Sequence, residues 1–145
     1  MELQDIFNKA VKHFAGMAGP SMDATDDTST QCAYRGTNGN KCVVGAFIPD
    51  ELYDENLEGD AIDPDAIGGV DGYHDSRIKA VLADAFKQKK LTQDQYVLLG
   101  TLQKIHDVNA DDWRTYKSDH ISWYEYNRQE LYVCGEKFDL ELGEV

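Results

Sequence analysis

The apolar spacing of residues 2 to 15 constrains this chain most. Leu3, Ile6, Phe7, Ala10, Val11 and Phe14 recur at i, i+3, i+4 and i+7, which places them along one stripe of a helix. Gly16, Gly19 and Pro20 end that helix. The same period returns in the second half. Ile78, Val81, Leu82, Ala85 and Phe86 predict a helix over about 76–88, with Lys87, Lys89 and Lys90 opposing the negative pole at its end. Thr92 followed by Gln95 resembles a capping box and opens a helix to about Asp107, with Leu98, Leu99, Leu102 and Ile105 inward. Asn109 can cap a further helix running through Trp113, Tyr116, His120, Trp123 and Tyr124. The tail, 131–142, alternates as one or two strands around Gly135 would. The chain has 145 residues, enough for one domain with its own core. The expected fold is mainly α with a minor β element (α+β), a single domain over 1–145 with a short hairpin and a C-terminal β extension.

The hairpin is expected in the most specific segment of the chain, Cys32-Ala-Tyr-Arg-Gly-Thr-Asn-Gly-Asn-Lys-Cys-Val-Val-Gly-Ala-Phe-Ile-Pro-Asp50. Residues 31–35 and 41–47 suit two strands, and Asn38-Gly39 favours the positive φ of a tight turn. The alternative is that the run Cys42 to Phe47 begins a buried helix or forms an irregular apolar plug. Residues 50–75 then hold ten acids and no Lys or Arg, with Gly59, Pro64, Gly68, Gly69 and Gly72 making most of the stretch loop-like. A short helical turn fits Pro49 to Tyr53.

Charge limits the partners. The formal net charge is −13, from 14 basic and 27 acidic residues. Direct binding to a phosphate backbone, which requires cations to displace counterions, is not expected. A protein partner with a basic surface is. No apolar run is long enough to span a bilayer, and Met1-Glu2-Leu3-Gln4-Asp5 lacks a signal-peptide pattern, so a cytoplasmic location with reduced cysteines is expected.

Several residues could carry chemistry, and each has a plainer reading. Cys32, Cys42 and Cys134 with His106 could supply four zinc ligands, but the short paired spacing of structural zinc sites is missing. The plainer reading is three buried small hydrophobes. A cysteine nucleophile at Cys42 would need His106 or His74 within reach as its base. His106-Asp107 resembles the His-Asp pair of metal-dependent phosphohydrolases; otherwise His106 satisfies a helix end. Asp54, Asn56, Glu58, Asp60 and Asp65 fall near the register of a calcium loop, departing at its fifth, eleventh and twelfth positions. A solvated acidic loop is the alternative. Trp113, Tyr116, His120 and Trp123 form one helical stripe read as core; Tyr126 and Arg128 lie off it and could face a partner. No cofactor is expected. Phosphate-loop, dinucleotide, nucleophile-elbow and zinc-protease motifs do not occur.

The pattern Cys-Ala-Tyr-Arg-Gly-x-x-Gly-x-Lys-Cys-x-x-Gly-x-x-Ile-Pro-Asp-x-x-Tyr at Cys32 to Tyr53 resembles a set of uncharacterised bacteriophage and bacterial proteins. Leu98-Leu-Gly-Thr-Leu-Gln-Lys-Ile-His-Asp107, Trp113 and the N-terminal helix are similar to that set as well. The resemblance covers half the chain and departs from about Trp123 onward. It implies a phage or prophage context and no mechanism. The expectation is a small acidic accessory protein that binds a host or phage macromolecule through Asp54, Glu55, Glu58, Asp60, Asp63, Asp65, Tyr126 and Arg128. Inhibition of the partner and imitation of nucleic acid are its sharper forms. The alternatives are a metal-dependent or cysteine-centred enzyme on the Cys32–Asp50 motif and a virion-associated structural protein.

Overall fold

A computed structural model describes residues 1–21, 34–36, 40–59 and 72–143, with the backbone alone at 59 and 72–76. Four α-helices build it: α1 (Leu3–Gly16), α2 (Gly72–Ala85), α3 (Gln93–Asp112) and α4 (Trp123–Lys137). α1 turns Ile6, Phe7, Ala10, Val11 and Phe14 into the core, the stripe its spacing predicts. α3 is the central helix. It is buried along much of its circumference, from Tyr96 and Leu98 to His106 and Ala110, because α1 and α4 both pack against it. The expected capping box is present: Thr92 Oγ1 accepts the Gln95 N–H (3.1 Å) and Gln95 Oε1 accepts the Thr92 N–H (3.0 Å).

The C-terminal β extension does not form. Trp123–Lys137 is helix, and it buries Trp123, Asn127, Leu131, Cys134 and Gly135 at helical intervals while Tyr132 and Val133 both face outward. Alternation in the tail is incidental; the 3.6-residue period that begins at Trp123 decides. Ser122 caps α4 by accepting the Glu125 N–H. Gly135, expected at a turn, lies where α4 crosses α1: a Cβ there would sit 3.0 Å from the Phe7 ring and from the Leu140 carbonyl. The helix expected from Asn109 is also redrawn. α3 continues to Asp112, a π-helical turn follows at Trp113–Lys117, and a short connection separates it from α4. Trp113 and Trp123 are therefore buried, whereas Tyr116 and His120 are exposed, so the four residues share no stripe.

The hairpin is likewise absent among the described residues. Arg35 and Lys41 form one isolated antiparallel bridge, with the Gly36 N–H donating to the Asn40 carbonyl (2.8 Å). Asn38 and Gly39 lie outside the described residues. From Cys42 the chain plunges inward instead of alternating: Cys42, Val43 and Val44 are all buried, and a 3-10 turn spans Gly45–Phe47. A half-exposed strand cannot bury three consecutive side chains. The segment is the apolar plug that the short run also permitted. Two further 3-10 turns, Asp50–Leu52 and Glu55–Gly59, occupy the start of the acidic stretch.

Candidate functional site

Two polar clusters fix the 34–59 module to itself and to the helices. The first centres on Glu58. Its Oε1 accepts the Tyr34 N–H (2.8 Å), and its Oε2 accepts the Arg35 N–H (3.1 Å) and the Tyr53 hydroxyl (2.5 Å). Burial and this bond to Glu58 push the Tyr53 phenol up to about 12. Arg35 lies over the Tyr53 ring (4.2 Å), donates to the Ile48 carbonyl (3.1 Å) and pairs with Asp50 (2.8 Å). One carboxylate thus gathers two successive backbone amides and a phenol. Without it those donors would compete for water at the module's edge.

The second cluster centres on His106, which is fully buried in α3. Its Nε2 accepts the Ser21 N–H (3.0 Å), so the ring proton sits on Nδ1 and is donated to Asp107 Oδ1 (2.8 Å). Asp107 Oδ1 also accepts from Gln103 Nε2 (2.7 Å), and Gln103 Oε1 accepts the Val44 N–H (2.9 Å). The His106 ring meets Trp123 edge-on (5.7 Å), and Trp123 packs with Trp113 and Phe14. Ser21 and Val44 are the backbone points at which the non-helical chain docks on α3.

The candidate catalytic groups are placed as follows. His106 and Asp107 do interact, but Nε2, the nitrogen a base would use, is already accepting a backbone amide. Cys42 is buried and its sulfur accepts the Gly45 N–H (3.4 Å). Burial pushes the Cys134 thiol up to about 11, away from a thiolate at neutral pH. Among the described residues no group of three or more His, Cys, Asp or Glu side chains is arranged to hold a metal ion. Cys32, of the zinc set, lies outside the described residues, as does the His74 side chain.

The described acidic candidates are all exposed and differ in their partners. Glu58 is exposed but its carboxylate is engaged by Tyr34, Arg35 and Tyr53. Asp54 accepts the Asn56 N–H at 2.9 Å in a local turn, and its side chain is exposed, as are Glu51 and Glu55. Asp60, Asp63 and Asp65 lie outside the described residues. For a calcium loop, the entering α-helix is replaced by the three-residue turn Asp50–Leu52, and Asn56 and Glu58 lie within a 3-10 helix. Tyr126 is half-buried and its hydroxyl donates to Asp112 Oδ2, which pushes the phenol up to about 12. Arg128 is exposed and lines a shallow cleft of about 460 Å³ with Glu125, Tyr132 and Leu142. The two off-stripe residues therefore do different things.

Sequence reasoning missed the roles of Ser21, Gln103 and Glu58. No local pattern announces a bond from residue 106 to residue 21 or from 58 to 34. The start of α4 was legible: Ser122-Trp-Tyr-Glu125 is a capping signature in sequence. Among the described residues no helix is long and apolar enough to cross a membrane. In comparisons with known proteins, no family model matches the chain, and no curated protein or solved structure matches it.

Proposed function

We propose that this chain is a non-catalytic binding protein that presents carboxylates to a basic macromolecular partner. The observation that carries the reading is the division of labour in the acidic module. Glu58 bonds the Tyr34 and Arg35 amides and the Tyr53 hydroxyl, and Asp50 pairs with the Arg35 guanidinium, while Glu51, Asp54 and Glu55 on the same turns are, like them, exposed to solvent. Residues 50–75 hold ten acids and no Lys or Arg, so the sequence carries the same sign beyond those turns. Such a one-signed surface steers and selects partners of opposite charge. The occupied nitrogens of His106 and the raised Cys134 thiol favour binding over chemistry at those side chains. The motif's likeness to phage and bacterial proteins supports a phage or prophage accessory role. Inhibition of the partner, and occupation of a groove that otherwise holds nucleic acid, are the sharper forms of this reading.

The test is capture of partners from a bacterial lysate at low and high salt, with two variants as bait. The first replaces Glu51, Asp54 and Glu55 by Gln, Asn and Gln; the second replaces Asp60, Asp63 and Asp65 by Asn. The expected result is a defined partner lost at high salt and weakened about tenfold or more by either variant. Capture that survives both variants and high salt would sink the proposal.

A further inference from the structure

The connection from α2 to α3 is a fixed turn. Lys87 takes the left-handed conformation (φ 58°). The Gln88 N–H donates to the Ala83 carbonyl (2.8 Å) and the Lys87 N–H to the Asp84 carbonyl (3.0 Å), which closes α2 as a Schellman motif does. Gln88 Nε2 then donates to the Lys90 carbonyl (3.1 Å) and to Gln95 Oε1 (2.8 Å), so the turn is tied to the start of α3. Spacing alone sets Lys89 and Lys90 at the end of a helix. α2 stops at Ala85 instead, and the reversal brings both lysines beside Lys79. The three line one cleft of about 390 Å³, walled by Leu91 and Tyr96. Lys79 Nζ lies over the Tyr96 ring, 4.4 Å from its centre. Among the described residues that line the cleft none is acidic; Asp84 and Asp94, adjacent in sequence, are exposed outside it. Lys89 and Lys90 are exposed, and among the described residues neither belongs to an ion pair.

We propose that this cleft binds a small, multiply charged phosphate-bearing molecule, with Lys79, Lys89 and Lys90 as its cationic contacts. Three ammonium groups around one concavity repel each other, and an anion between them turns that repulsion into attraction. Lysine ammoniums are compact point charges suited to phosphate oxygens. The volume fits a small molecule and not a nucleic-acid backbone. The chain's net charge of −13 does not forbid the site, because salt screens exposed charges beyond about 8 Å and the lysines are the charges at hand. The turn that carries Lys89 and Lys90 is already ordered, so binding costs little backbone entropy. The cleft shares no residue with the acidic turns and does not depend on their role.

NMR titration of the intact chain with sodium pyrophosphate, against sodium chloride at equal ionic strength, tests it. The expected result is saturable shifts of the Lys90, Leu91 and Gln93 amides, half-complete at or below about 1 mM, that chloride does not reproduce. Lys89→Gln combined with Lys90→Gln should weaken binding about tenfold or more. Lys12→Gln combined with Lys117→Gln removes the same charge from exposed positions outside the cleft and should leave binding within about twofold. No saturation by about 10 mM pyrophosphate, or the same shifts with chloride, would overturn the site. So would full binding by the Lys89/Lys90 variant, or an equal loss in both double variants.

Discussion

Gly45 shows how much one side chain's absence can settle. A Cβ at this position would lie 2.0 Å from the Tyr34 carbonyl oxygen, a backbone atom that cannot swing away. A side chain three residues after Cys42 is excluded because the Tyr34 backbone lies directly against that position. Gly45→Ala should therefore cost about 3 kcal/mol in chemical denaturation, at the upper end of overpacking effects. A cost below about 1 kcal/mol would mean that Tyr34 does not lie against this backbone. Nothing in the string Cys-Val-Val-Gly-Ala-Phe reveals that contact, since Tyr34 lies outside it, earlier in the chain. Glu58 gives the same lesson from the polar side. Composition makes it one of ten acids over 50–75, yet its two oxygens are spent on Tyr34, Arg35 and Tyr53. Bonding partners, not residue type, separate a structural carboxylate from a presented one.

Elements were legible in proportion to their length and to the closeness of their signals. α1 and α3 show apolar periodicity over several turns, and α3 carries its cap in sequence, so both appear where the pattern places them. α4 was misread because a few alternating residues after Leu131 outweighed a buried set spaced at helical intervals from Trp123. The apolar face of α4 includes Asn127, which donates to the Trp123 carbonyl (2.7 Å) and accepts from Asn109 (2.8 Å). A polar residue in the stripe hides its period from a hydropathy reading. The cap at Ser122 makes the element testable. Ser122→Ala orphans the Glu125 amide and should destabilise the protein by about 1 kcal/mol in denaturant. A negligible change would show that water replaces the hydroxyl without loss. The plug at Cys42–Phe47 could not have been assigned locally, because short apolar runs fit strand, helix and irregular backbone equally.

For the whole molecule, charge opposes compaction. A net charge of −13 on a 145-residue chain repels itself, and salt screens that repulsion. The melting temperature should therefore rise by a few degrees between roughly 20 and 200 mM sodium chloride. A fall instead would show that pairs such as Arg35–Asp50 outweigh the repulsion. Composition and periodicity by themselves determined a mainly helical chain of net charge −13, because amphipathic spacing and net charge are properties of the string. Tertiary structure alone decided which polar groups are turned inward. His106 reaches Ser21 and Gln103 reaches Val44 because the fold brings distant backbone amides beside α3, and Glu58 reaches Tyr34 because the chain doubles back on itself. A buried amide must find a partner wherever packing leaves it, and that requirement is written in space, not along the chain.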